Sequence, residues 1–371
     1  MLQRRHENDF KIVERNSGIN LLDNLVTKEE LNESNNLNFS AYDFIPENTF
    51  FKIPGISGTG PRYSHGCLTE SNKIVFPPAR KDAVLILDVA TNTYREVPIV
   101  FPITVTEPKF TNAIYFEKKC YFVPYGYPAV MVFDPATFQY SFFGSLTLSL
   151  VTWGYGTLAK NGNIYAPPLG VNTILKINCR NKTVTELNIG STGWWGSCLA
   201  LNGKIYCAPH SANSVMVIDP TNDTHTTLSV PPPSETEGWN GIVCAQNGKM
   251  YGIPTNSTSV LVVNPYTNNV SLVNTGDNAL HKYRGGALAP NGKIYCAPRA
   301  NTNILVIDPT NDSTSLITGI QVSGSKYDAF VAAPNACLYS PPKQALDILV
   351  VRTGIPILGN WMFNTGFYLE S

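Results

Sequence analysis

The sequence is short of charge. Lys, Arg, Asp and Glu make up 15% of 371 residues, against about a quarter in ordinary globular domains. Asn, Thr and Ser carry the polar load instead, which disfavours long solvent-facing helices and favours turn-rich β structure. The 27 basic and 27 acidic residues cancel. With no basic block or stripe, nothing points to nucleic acid or an anionic membrane as a partner. Histidine is scarce: His6, His65, His210, His225 and His281 are all there is. No H-x-x-x-H, C-x-x-C or H-E-x-x-H spacing occurs, so no metal centre is expected. A G-x-S-x-G elbow and a phosphate-cradling glycine loop are also missing, so no cofactor is expected either. Long apolar runs are absent too. The most apolar late stretch, 344–363, contains Asp347 and Arg352, which argues against membrane insertion. The start, MLQRRHENDFKIVERN, lacks the apolar centre of a signal peptide.

What the sequence has is repetition. NGKIYCAP stands at 202–209 and again at 291–298, and VIDPTND follows each copy at the same distance. Five looser copies are SNKIVFPP (71–78), EKKCYFVP (117–124), NGNIYAPP (161–168), NGKMYGIP (247–254) and NACLYSPP (335–342). The closing prolines, 78, 124, 168, 209, 254, 298 and 342, are 46, 44, 41, 45, 44 and 44 residues apart. Ten residues after each proline comes a second column: Asp88, Asp134, Asn178, Asp219, Asn264, Asp308 and Arg352. A fixed inner distance with variable outer spacing describes rigid units joined by variable loops. A period near 44 marks a propeller or a solenoid, and the β character selects the propeller.

Residues 282–317 show the unit. GGALA is a strand of small residues, suited to a crowded axis. A turn centred on Asn-Gly follows, then the strand KIYCA, stopped by Pro298. NILVI is a β-branched strand. Asp308 and Pro309 make a turn, and STSLI is the outer strand. Four antiparallel strands make a blade. The fold class is all-β: a seven-bladed propeller over 46–360, with an N-terminal polar arm over 1–45 and a C-terminal tail over 361–371. In the arm, Thr27 to Glu30 resembles a capping box, so short helices are expected there. NTFFKIPGI (48–56) resembles TYREVPIV (93–100), the outer strand of blade one, and is expected to complete blade seven. IPILG (355–359) is the competing candidate. The pattern I-Y-x-x-P followed by V-x-V-I-D-P resembles the YVTN and kelch-like propeller repeats. The Y-V-T-N tetrad is absent, and the diglycine of a kelch repeat is not kept in every blade.

The eight cysteines recur in register: Cys207 with Cys296, and Cys67 with Cys198. That pattern suits small buried hydrophobes. Free thiols and a reducing, cytoplasmic type of compartment are expected.

Candidate binding residues belong on the face that carries the loops between blades and between strands two and three. One column before the inner strand is aromatic: Tyr63, Trp153, Trp194, Trp239, Tyr283 and Tyr327, with Phe110 displaced by one. Its recurrence points to packing. The next position, Ser64, Gly154, Trp195, Asn240, Arg284 and Asp328, varies, and Trp195, Arg284 and Asp328 break the repeat. A third column follows the motif proline: Ala79, Tyr125, Leu169, His210, Thr255, Arg299 and Lys343. Three functions follow. The leading expectation is a non-catalytic interaction or scaffold propeller with a protein partner, as in a larger assembly. The second is a carbohydrate- or small-ligand-binding propeller using the axial aromatics. The third is a lyase- or hydrolase-type enzyme in which His65, His210 and Arg284 converge.

Overall fold

The computed structural model describes residues 48–354, except 59, 148–150, 232–236 and 321–325. The expected arm, the IPILG segment and the tail lie outside the described residues. The chain forms seven four-stranded antiparallel sheets, and in six of them the four strands follow one another in sequence. Blade six is typical, with strands Tyr283–Leu288, Ile294–Pro298, Ile304–Asp308 and Ser313–Ile317. Blade seven is composite. Thr49–Pro54 lies antiparallel beside Asp347–Arg352, with Phe51 opposite Val350, and supplies its outer strand. The N-terminal segment closes the ring, as its likeness to the outer strand of blade one implied.

Two positions show how tightly the inner strands crowd the axis. A Cβ on Gly154 would stand 1.7 Å from the Trp195 carbonyl oxygen, and one on Gly196 would stand 2.7 Å from Gly241 Cα. Further out, the core is shared between neighbouring blades. Tyr206, Val215 and Val217 of blade four pack with Trp239, Ile242, Leu261 and Val263 of blade five. Each interface is a slice of hydrophobic core, and burial of such side chains drives folding at about 25 cal/mol per Å² of apolar area.

The repeated motif builds a latch on the face that carries the hairpin turns. Gly203 takes φ 82°, and its N–H donates to the Ala200 carbonyl at 3.0 Å. This is the three-residue kind of hairpin, with glycine in the left-handed position. Asn202 Oδ1 accepts from the Lys204 N–H, while its amide donates to Tyr206 and to the Pro265 carbonyl of the next blade. The same bonds run from Asn161 to Tyr165 and Pro220, and from Asn247 to Tyr251 and Pro309. They run again from Asn291 to Tyr295 and Thr353, and from Asn335 to Tyr339 and Val89. The tyrosine hydroxyl adds a second link to the next blade: Tyr165 to Asp223, Tyr251 to Asp312, Tyr295 to Asn48 and Tyr339 to Asn92. The four acceptors all have positive φ, a conformation that Asn and Asp tolerate best among non-glycine residues. The second column is equally structural. Asp88 Oδ1 accepts from the Ala90 and Thr91 N–H groups, and Asp308 Oδ1 from the Thr310 N–H.

All eight cysteines are free, and seven are buried. Cys67 and Cys120 stand Sγ to Sγ at 3.6 Å between blades one and two.

Candidate functional site

The aromatic column meets the motif proline in every blade. The antiparallel partners are Tyr63 and Pro78, Phe110 and Pro124, Trp153 and Pro168, and Trp194 and Pro209. Trp239 with Pro254, Tyr283 with Pro298 and Tyr327 with Pro342 complete the ring. Phe110, displaced by one in sequence, is not displaced in space. The hairpin of blade two is one residue shorter, with Glu117 and Lys118 both at positive φ, and this restores the pairing. Trp153, Trp194 and Trp239 are buried, and each indole N–H donates to a carbonyl at the start of the third strand of its own blade: Thr173 at 2.7 Å, Ser214 at 2.6 Å and Ser259 at 2.8 Å. With Tyr283, 1% exposed, they pack between neighbouring blades and do not line the axial cavity.

Immediately after each aromatic the ladder slips. The register shifts between Trp194 and Ser197, between Trp239 and Gly241 and between Tyr283 and Gly286. A bulge of this kind re-aims side chains. Here it frees Trp195, Asn240 and Arg284 from the pleat and turns them to the axis. All three line a cavity of about 510 Å³. Tyr125, Leu169, His210 and Arg299, each the residue after a motif proline, line it as well, with Val151, Ser211 and Glu237.

Trp195 is the centre of the cavity wall. The Arg284 guanidinium lies 4.5 Å from the centroid of its ring, and His210, Tyr155 and Tyr125 surround it at 5.5, 6.0 and 6.1 Å. Its indole N–H is buried with no hydrogen-bond partner, and Asn240 Oδ1 is in the same position. An orphaned buried polar atom typically costs about 1–3 kcal/mol, so these two atoms in a cavity wall ask for a partner.

Behind this wall is a buried charge cluster. Asp328, 1% exposed, accepts from the Tyr155 hydroxyl at 2.5 Å. Arg284 Nε lies 2.8 Å from Asp328 Oδ1, close but not aligned as a hydrogen bond. Lys343 Nζ lies 3.8 Å from Asp328 Oδ2. Burial opposes the charge on Asp328, yet Lys343 and Arg284 outweigh it and hold the carboxyl below its usual range. Burial likewise opposes the charge on Arg284, and Asp328 and Tyr155 more than offset it. Lys343 is the group that yields. Burial, then repulsion from Arg284, bring it down to about 7 despite Asp328. Arg299 is lowered by burial and by Arg284, and its guanidinium lies 3.8 Å from Glu237. His210 is pushed down to about 4, chiefly by burial, so it is a neutral imidazole at neutral pH.

His65 does not join this group. It lines a second cavity of about 60 Å³, one residue further along the inner strands, with Asn112, Tyr155, Gly196, Gly241 and Ala329 among its walls. It is partly buried, desolvation lowers its basicity, and its Nδ1 has no hydrogen-bond partner. The three residues expected to converge in an enzyme are therefore split, His210 and Arg284 in one cavity and His65 in the other. Among the described residues, no three His, Cys, Asp or Glu side chains are gathered as if to hold a metal ion.

Sequence reasoning named Trp195, His210, Arg284, Arg299 and Asp328, and all five stand in or directly behind the cavity. It missed Tyr155, Val151, Ser211 and Glu237. Tyr155 had a signal. Blades three to seven carry Tyr155, Gly196, Gly241, Gly285 and Ala329 at the equivalent place, and the tyrosine is the large exception.

No protein-family model matches the chain, and no curated protein matches its sequence. Solved structures do match in shape. A streptogramin B lyase superposes with TM-score 0.69 at 13% identity, covering 82% of this chain and 98% of that one. Virginiamycin B lyase from Staphylococcus aureus, in a catalytically inactive form with quinupristin, gives 0.70 at 9% identity, covering 82% and 99%. A chain of the mitotic checkpoint complex gives 0.63 at 11% identity, covering 82% and 90%. At such identities the likeness is one of fold.

Proposed function

We propose that this protein is a non-catalytic ligand-binding propeller whose axial cavity holds one small molecule. The observation that carries this is the coincidence of two features. The cavity of about 510 Å³ lies where the repeat is broken, and its wall contains buried polar atoms of Trp195 and Asn240 without partners. That volume is typical of small-molecule sites, which run to about 300–1,000 Å³. Similar folds occur in a streptogramin B lyase and in a mitotic checkpoint complex, so the fold itself does not choose among functions.

The scaffold reading has less behind it. The most exposed large hydrophobic residues, Val100, Tyr266 and Leu280, come from different parts of the ring and single exposed apolar residues are ordinary. The enzyme reading loses its third residue, because His65 lines the other cavity.

A thermal-shift screen of sugars, amino acids, organic acids and nucleotides tests the proposal. Binders are expected to stabilise the native protein and the Tyr266→Ala control. The effect should be lost in Trp195→Ala and in His210→Ala. Binding that survives both cavity substitutions contradicts the proposal.

A further inference from the structure

We propose that the occupant of the axial cavity is a small monocarboxylate, with its anionic end between Arg284 and Arg299 and an apolar or aromatic body against Trp195, Leu169 and Val151. This rests on the ligand-binding reading above and specifies its chemistry.

The first argument is charge. Three bases meet at this face: Arg284, Arg299 and Lys343. Two acids answer them. Asp328 is shared among Arg284 at 2.8 Å, Lys343 at 3.8 Å and the Tyr155 hydroxyl at 2.5 Å. Glu237 serves Arg299 at 3.8 Å and also faces His281 at 3.3 Å. Neutral His210 adds no charge at neutral pH. The cluster is therefore one negative charge short of pairing all three bases. It makes up the difference at Lys343, which gives up its proton readily. A bound monoanion would supply the missing charge and let Lys343 keep that proton.

The second argument is hydrogen bonding. A carboxylate only accepts. The guanidinium groups and the unpartnered indole N–H of Trp195 are donors. Guanidinium matches the planar carboxylate fork. A dianionic phosphate would overshoot the single charge that is missing and would bring more acceptors toward Glu237 and Asn240 Oδ1, which cannot donate to it. The third argument is the apolar part of the wall: Val151, Leu169 and the faces of Tyr125 and Trp195 offer an apolar body a surface to cover.

A consequence follows for protons. The groups facing Lys343 are Asp328, Arg284 and Arg299, with Tyr155 and His65 beyond Asp328. Adding an anion among them raises the affinity of Lys343 for its proton. At about pH 8, where the free amine is mostly neutral, binding should take up a proton.

The test is isothermal calorimetry on the full chain with phenylacetate, indole-3-acetate and butyrate, their amides, and phenyl phosphate, run at about pH 8 in two buffers of different ionisation enthalpy. At least one carboxylate is expected to bind about tenfold or more tighter than its amide and than phenyl phosphate, since the amide leaves charged donors unpaired. Arg299→Gln should weaken that carboxylate by about tenfold or more and weaken its amide by less. The buffer-dependent heat should report proton uptake in the native protein and none in Lys343→Met. Amides that bind as well as the acids overturn this inference and leave the ligand-binding reading standing. Tighter binding of phenyl phosphate overturns the choice of carboxylate. Carboxylate binding without proton uptake overturns the charge argument. Failure of every probe, with no binder in the thermal-shift screen either, overturns both readings together.

Discussion

The two faces of the propeller treat the same repeat in opposite ways. On the turn face, Asn161, Asn202, Asn247, Asn291 and Asn335 make the same pair of bonds, one to a tyrosine four residues on and one to the next blade. On the axial face, the residue after each aromatic is serine, threonine, glycine, tryptophan, asparagine, arginine or aspartate. Identical contacts are what a closed ring of like units requires. Differing contacts around an enclosed space are what recognition requires. The contrast separates positions that hold the ring from positions that give it a use.

Substitutions can break this comparison, and the largest effects come first. Asp328→Ala should cost about 3–5 kcal/mol, because it strands Arg284 and Lys343 in a buried site; denaturant unfolding measures it. If that variant unfolds like the native protein, the cluster is not a unit. Trp239→Ala, in the regular column, should cost a similar amount, about 3–5 kcal/mol. Trp195→Ala should cost less and remove ligand response, since its ring faces a cavity and its N–H has no bond to lose. Equal losses at 195 and 239 would erase the distinction between the two columns.

The pH dependence sharpens it further. Lys343 is lowered from 10.5 to about 7 in the folded protein. Between these values the unfolded chain binds a proton that the folded chain does not, so stability rises with pH by up to about 1.4 kcal/mol per unit. Below about pH 7 both states are protonated and the full penalty is present. Lys343→Met should remove this slope, read as the native-minus-variant difference between about pH 7 and 9. His210 behaves in the same sense at lower pH. Its value falls from 6.5 to about 4, so stability gained as pH rises through that window should be missing in His210→Gln. The smallest effect belongs to the turn face: Tyr251→Phe loses the bond to Asp312 and the one accepted from Asn247 and should cost about 1–2 kcal/mol, with no change in ligand binding.

The ring was legible because its signals are local and repeated. A proline every 44 residues or so, an Asn-Gly turn and an Asp ten residues on can be counted without knowing where the chain goes. Closure by Thr49–Pro54 was legible because that strand resembles another outer strand. The tyrosine of NGKIYCAP carried a role that alternation alone could not reveal. It was read as a packed strand residue, and in the equivalent Tyr165 and Tyr251 the hydroxyl turns out to reach across to the next blade, a contact between residues about 60 positions apart. His210 and Arg299 were found because each follows a motif proline. Glu237 and Ser211 were not, because they fall in loops of differing composition whose partners come from other blades. The burial of Asp328 under Arg284 and Lys343 joins blades six and seven, and its effect on Lys343 depends on exclusion of water, which no spacing reports.

The central claim is that function lies where the repeat is broken on the axis. A crystal structure of the protein soaked with a fragment library that includes carboxylates and their amides tests it most directly. Density is expected in the axial cavity, within hydrogen-bond reach of Arg284, Arg299 or the Trp195 indole. Fragments bound only on the turn face or outer strands, with the axial cavity holding water alone, would contradict it.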